Sequence, residues 1–272
     1  MPLVLYRRII DEVAAYTHTV IFHFQGEPLL SPNLADMVSY ARQHRMFTML
    51  STNAQLLTPD MARALAQAGL DRIIISIDGL TQQTYSHYRK GGSLERALSG
   101  MRAVADLPED IRPEIVLQCL MLRSNEHEWE RFKQKYRSLG ADRLELKTAQ
   151  FYDFSHGNDD MPTDGRFCRY EKREDGLWYI KNPLRNRCYR LWSGCVITAE
   201  GEVRPCCYDK SGAYAFGGLM NEQESSDTVL YGGEDVKHQS LKDILYSQRA
   251  ADFRKRVFSH RLDIDICGNC TE

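Results

Sequence analysis

The chain has 272 residues, 43% of them apolar and 26% charged, with a formal net charge of −2. That is enough to bury one large and one small core, and the balanced charge gives no general attraction to nucleic acid or anionic lipid. No apolar run approaches the length needed to span a bilayer, and the opening Met-Pro-Leu-Val-Leu-Tyr is too short for a signal peptide, so a cytoplasmic protein is expected. In a reducing compartment its eight cysteines point to metal binding or catalysis rather than to disulfides.

Ile9, Ile10, Val13 and Ala14 share one face of a first helix. Thr19-Val-Ile-Phe-His-Phe24 then reads as a buried strand running into the turn Gln25-Gly-Glu-Pro28. Ser31-Pro32 is expected to start a second helix, with Leu34, Met37, Val38 and Ala41 inward. The unit repeats. Residues 46–50 form a strand ending in Ser51-Thr52-Asn53, and Thr58-Pro59 caps a helix that stops at Gly69. Residues 72–77 form a strand ending in Asp78-Gly79, and Ser93 starts the next helix. Residues 114–121 form a strand, Asn125 caps a helix ending at Gly140, and residues 142–148 form a last strand.

Five alternations of strand and helix predict a parallel sheet flanked by helices, closed or partly closed like part of a β/α barrel. Sites in such folds lie at the carboxyl ends of the strands. Gly26, Glu27, Pro28, Thr52, Asn53, Ser76, Asp78, Ser124, Asn125 and Lys147 fall there. Each alone has a plain reading as turn chemistry, but together on one rim they suggest a shared pocket. His18, His23 and His44 have no partner at ligand spacing and are read as core or surface residues.

Residues 151–187 read as a polar connector in which Phe151, Tyr152 and Trp178 could cover a pocket mouth and Cys168 is a buried thiol. Six cysteines follow between 188 and 270, the last two as Cys267-Gly-Asn-Cys270, a gap that lets both thiolates reach one metal centre. Residues 197–205 predict a hairpin turning at Glu200-Gly201, and residues 240–258 a helix. Cys195 is expected to be packed in a strand, and the acidic stretch 221–236 to be a flexible insertion.

These motifs, in this order, resemble the radical S-adenosylmethionine (SAM) superfamily, and among its members those with a C-terminal SPASM or twitch extension. Gly26-Glu27-Pro28 resembles the turn that holds the amino group of SAM through backbone and carboxylate. Thr52-Asn53, Ser76-Ile-Asp78-Gly79 and Tyr88-Arg89-Lys-Gly-Gly92 match further family motifs, with Ser76 implied at ribose or carboxylate and Arg89 at the SAM carboxylate.

The resemblance implies an α/β fold: a partial (β/α) barrel over residues 1–150 lacking its first strand, a connector at 151–187, and a small cysteine-rich α+β domain at 188–272. In that domain it implies Cys188, Cys206, Cys267 and Cys270 as ligands of an auxiliary four-iron four-sulfur cluster, with Cys207 the competitor of Cys206. A structural zinc site is the alternative for such a quartet. Also implied are SAM itself, a peptide or small-molecule substrate altered by hydrogen abstraction, and an electron donor such as flavodoxin or ferredoxin.

The family's CxxxCxxC, which holds the SAM-chelating cluster, does not occur in this sequence. A shortened or misplaced start, a decayed gene, or a relative retaining only the second cluster would each account for that, the first being the expectation. As written, the chain is expected not to cleave SAM. A non-catalytic iron–sulfur electron carrier or scaffold is the competing reading.

Overall fold

The structure is a computed structural model, described here for residues 1–182, 184–220 and 239–270. The stretch 221–236, expected to be a flexible insertion, lies outside the described residues. Two compact units emerge, one of residues 17–181 and the other of residues 1–16 with 182–272.

The larger unit is built on β1 (Thr19–Ile21), β2 (Phe47–Thr52), β3 (Arg72–Ser76), β4 (Glu114–Met121) and β5 (Arg143–Thr148), all parallel and in the order β1-β2-β3-β4-β5. Its helices are α2 (Leu34–Gln43), α3 (Pro59–Gln67), α4 (Gln82–Tyr88), α5 (Leu94–Ala105) and α6 (Trp129–Lys135), after α1 (Leu3–Val13) of the other unit. Successive strand residues face opposite ways. Leu50, Ile73, Ile75, Ile115 and Leu117 are fully buried on one side. In register across the other side run Ser76, Gln118 and Glu145, with Gln118 donating to Glu145 at 3.3 Å. The sheet therefore has an apolar face and a polar face. The charge of Lys147, on one edge strand, also acts on His23, just past the opposite edge strand.

Two caps are as expected: Thr58 accepts from the Met61 amide and Ser93 from the Arg96 amide. Two are not. Ser31 starts no helix; Glu27 instead caps a short 3-10 turn, Pro28–Leu30, and α2 begins at Leu34 behind Asn33. Asn125 makes no cap bond, because its side chain is buried and holds three backbone groups, as described below.

Helix α4 has no apolar stripe that sequence could show; only Tyr85 is buried, and Thr81 caps it. Its start crowds Gly79, where a Cβ would lie 2.4 Å from the Tyr85 amide nitrogen. Because backbone is the obstacle, Gly79→Ala is expected to cost about 1–3 kcal/mol, read as a lower urea midpoint at unchanged slope.

Residues 151–181 are more than a connector. β6 (Tyr170–Lys172) and β7 (Trp178–Ile180) form an antiparallel hairpin over a small core of Met161, Cys168 and Tyr170. Phe151 and Trp178 pack into that core instead of standing free at a pocket mouth, while Tyr152 is exposed.

The smaller unit comprises α1, α7 (Arg190–Ser193), β8 (Val196–Ile197), β9 (Glu202–Arg204), β10 (Gly217–Gly218), α8 (Leu241–Leu245), α9 (Gln248–His260) and α10 (Asp265–Gly268). The expected hairpin is present, with Gly201 at φ +82° in its turn, and β10 adds a third antiparallel strand. The single helix expected over 240–258 is two, because Tyr246 ends α8 and Ser247 caps α9. Helix α1 groups here and not with the strands. The reason is local: Arg8 donates to the Leu219 carbonyl, and Glu12 accepts from the Leu241 and Lys242 amides at 3.0 and 2.8 Å, capping α8.

Candidate functional site

At the carboxyl ends of the strands, Glu27 accepts from the Thr52 hydroxyl at 2.6 Å and from the Asn53 and Leu29 amides at 2.9 and 3.2 Å. Its carboxylate thus ties the Gly26-Glu27-Pro28 turn to the end of β2, while the Glu27 and Pro28 carbonyls accept from the Leu30 and Ser31 amides at 3.2 and 3.0 Å. Asp78, 1% exposed, accepts from Arg89 Nε at 2.6 Å and from the Leu120 amide at 2.7 Å. Asn125 donates to the Asp78 and Leu120 carbonyls at 3.0 and 2.8 Å and accepts from the Leu122 amide at 2.8 Å. Asp78 and Asn125 are internal braces. Among the described residues neither terminal nitrogen of Arg89 has a hydrogen-bond partner, which leaves a guanidinium edge for an outside carboxylate. Ser76 is nearly buried on the polar face of β3.

His23 lies at the same end. Its Nδ1 is buried without a partner among the described residues, and burial, with a smaller push from Lys147, lowers its pKa to about 4. An imidazole with an unfolded value near 6.5 and a folded value near 4 loses stability as pH falls between them, because only the unfolded chain takes the proton. The loss is at most about 3 kcal/mol, complete near pH 4. His23→Gln is expected to flatten the pH dependence of the urea midpoint across that window.

The smaller unit holds a second site. Cys188, Cys206, Cys267 and Cys270 line one hollow together with Leu191, Phe253, Val257, Ile266, Arg190, Tyr208 and Arg261. They come from three stretches: the approach to α7, the loop after β9, and the turn through α10. In that turn the Cys267 amide donates to the Ile264 carbonyl at 2.8 Å and the Cys270 amide to the Cys267 carbonyl at 3.0 Å, which folds both thiols to one side. Cys206 faces the hollow. Its neighbour Cys207 does not line it and instead accepts from Arg190 Nη1 at 3.6 Å.

Apolar walls push the Cys206 and Cys267 thiols up to about 12 and 11, and the thiols raise one another: Cys207 and Cys267 act on Cys206, and Cys270 and Cys188 on Cys267. Among the described residues no group of three or more His, Cys, Asp or Glu side chains is gathered as a site for a metal ion. The four thiols surround a space; they do not meet at a point. Cys195 and Cys168 stay apart from it, the first raised to about 11 by burial and the second in the hairpin core.

Arg261 was not anticipated. It is 1% exposed, and in the sequence it is one arginine among the 35 Lys and Arg residues.

Family models match the chain twice: the radical SAM superfamily over residues 1–135 and the SPASM iron–sulfur cluster-binding domain over residues 188–271. The chain belongs to the radical SAM superfamily and carries a SPASM domain. A tungsten-containing aldehyde ferredoxin oxidoreductase cofactor-modifying protein of Pyrococcus furiosus is 27% identical over 92% of this chain and 74% of its own length. The PqqA peptide cyclase of Gluconobacter oxydans is 29% identical over 72% of this chain and 58% of its own. An AdoMet-dependent heme synthase of Methanosarcina barkeri is 33% identical over 40% of this chain, and the match spans 32% of that relative.

Among solved structures, anSMEcpe with bound AdoMet superposes with a TM-score of 0.63 over 98% of this chain and 76% of that one, at 13% identity. BtrN in complex with AdoMet and 2-DOIA gives 0.53 over 100% and 80%, at 18% identity. Both share the fold. Four-iron four-sulfur chemistry and SAM are the cofactors of this family, and the donor set fits: four thiols in a water-poor hollow suit a thiolate-bound cluster. Among the described residues no helix is long and apolar enough to cross a membrane.

Proposed function

We propose that this SPASM domain holds an auxiliary four-iron four-sulfur cluster through Cys188, Cys206, Cys267 and Cys270, in a cytoplasmic protein whose barrel binds SAM and whose class modifies a peptide or small molecule by radical chemistry. The supporting observation is the single hollow lined by those four thiols. When bound, such a cluster supplies one-electron transfer, and with four thiolates on its irons it has no open position for SAM. The chain's own part is to shield it. Phe253, Val257, Leu191 and Ile266 keep water away, and the high thiol pKa values mean that loading must release protons.

At the strand ends, the Gly26-Glu27-Pro28 carbonyls would take the SAM ammonium, Arg89 its carboxylate, and Ser76 a ribose hydroxyl. Thr52, Asn53 and Asp78 would hold those groups in place. Relatives named for a peptide and for a cofactor substrate support the coarse class, and flavodoxin or ferredoxin remains the proposed electron donor.

The test is composition. Chain purified without air and reconstituted with iron and sulfide should be brown and carry close to four irons per molecule; a colourless protein holding one zinc would overturn the cluster. Residues 1–272 contain no CxxxCxxC, so this chain with dithionite and SAM should yield no 5′-deoxyadenosine. Its appearance would overturn that part.

A further inference from the structure

Four thiolates around one cluster form an anion that gains a further negative charge on reduction, and apolar walls make such charge costly. Arg261 is the buried cation of this chamber. It lines the hollow, is 1% exposed, and has an Nε that is buried without a hydrogen-bond partner among the described residues. Its Nη1 donates to the Arg185 and Arg187 carbonyls at 3.1 and 2.6 Å, and its amide to Asn186 Oδ1 at 3.2 Å, so the side chain is anchored against the stretch that leads into Cys188. Arg190, the other arginine at the hollow, is exposed, and water screens it.

A buried guanidinium with an idle donor is expensive unless an anion meets it. In the thiol form Arg261 meets carbonyls and, among the described residues, no anion. Loading the cluster creates one.

We propose that Arg261 is a positioning residue for the auxiliary cluster: its buried charge and spare Nε–H offset the thiolate-bound core, favour the reduced form over the oxidised, and so raise the reduction potential. The inference rests on the cluster reading above. Lysine would keep the charge while losing the fork that braces residues 185–187; glutamine would lose the charge.

The experiment is a redox titration of the reconstituted full chain followed by electron paramagnetic resonance, with iron content measured on each sample, for wild type, Arg261→Lys, Arg261→Gln and Asn186→Ala. The last loosens the brace to Ser259 and Arg261 without altering charge. Arg261→Gln is expected to favour the oxidised form at least tenfold, a fall of about 59 mV or more for a one-electron couple, with Arg261→Lys and Asn186→Ala close to wild type. Should Arg261→Gln take up no cluster while Arg261→Lys does, the need for charge is likewise upheld.

The inference fails if Arg261→Gln loads fully and titrates as wild type does. It fails also if Asn186→Ala shifts as far as Arg261→Gln, or if neither Arg261 variant loads, since bracing alone then explains the residue. Wild type that holds zinc and no cluster would instead sink the cluster reading, which keeps the two failures separate.

Discussion

Cys206→Ser is expected to strip the reconstituted chain of its iron and its visible colour, whereas Cys207→Ser should leave both within a fraction of wild type. The two cysteines are neighbours in the bend and turn after β9, where the Asp209 amide donates to the Cys206 carbonyl at 3.3 Å. Cys206 turns into the hollow among the other three thiols; Cys207 turns out to Arg190. A serine hydroxyl is a poor ligand for iron beside thiolates, so one substitution leaves one iron without its thiolate and the cage open to water. Cluster binding is also folding energy here. The ligands come from three stretches, and structural zinc sites in small domains contribute on the order of 10 kcal/mol. Cys206→Ser should therefore also lower the thermal midpoint of the anaerobic holoprotein to that of the unloaded chain. Equal iron in both variants, or loss confined to Cys207→Ser, would reverse the assignment within the pair.

Sequence carried the parallel sheet because its strands are runs of β-branched and aliphatic residues and because Thr58-Pro59 and Ser93 are helix starts of a kind that tertiary contacts do not override. It failed where a polar side chain had a distant partner. Asn125 sits where a cap would, yet its amide is consumed by Asp78, Leu120 and Leu122. Ser31 instead ends a 3-10 turn that Glu27 caps, with the same carboxylate held by Thr52 and Asn53, and α2 starts later, behind Asn33. Helix α4 escaped notice because Gln82–Tyr88 shows one inward residue and no period.

At the cysteine site, CxxC spacing and family order pointed to four thiols that line one hollow, since a tight turn is a local property. Arg261 could not be found that way. Nothing in Ser-His-Arg-Leu-Asp marks one arginine as buried, and its significance lies in four sulfurs that reach it from elsewhere in the chain. The packing partner of helix α1 was hidden for the same reason: its amphipathic face says that it packs, and only Glu12 and Arg8 say on what.

Asp78→Ala is expected to be the most damaging substitution in the larger unit. The carboxylate is 1% exposed and meets two donors, Arg89 Nε and the Leu120 amide, so its removal strands a buried amide and a guanidinium together. Deleting one member of a buried pair costs about 3–5 kcal/mol. Arg89 is 28% exposed and recovers some hydration, which puts the expected loss toward the lower figure. Asp78→Asn separates charge from shape: its carbonyl oxygen can still accept from Leu120 or Arg89, and the cost should fall to about half. The pair also matters to the rim, because Asp78 fixes the direction of Arg89. Without it the free side chain samples many rotamers, so SAM affinity, read by calorimetry or tryptophan fluorescence, should fall in step with stability for Asp78→Ala and less for Asp78→Asn. Arg89→Met should remove affinity while costing less than Asp78→Ala, provided the carboxyl can be protonated in the vacated site. If Arg89→Met binds SAM as wild type does, the arginine serves only the fold, and the ion pair is a brace with no ligand beyond it.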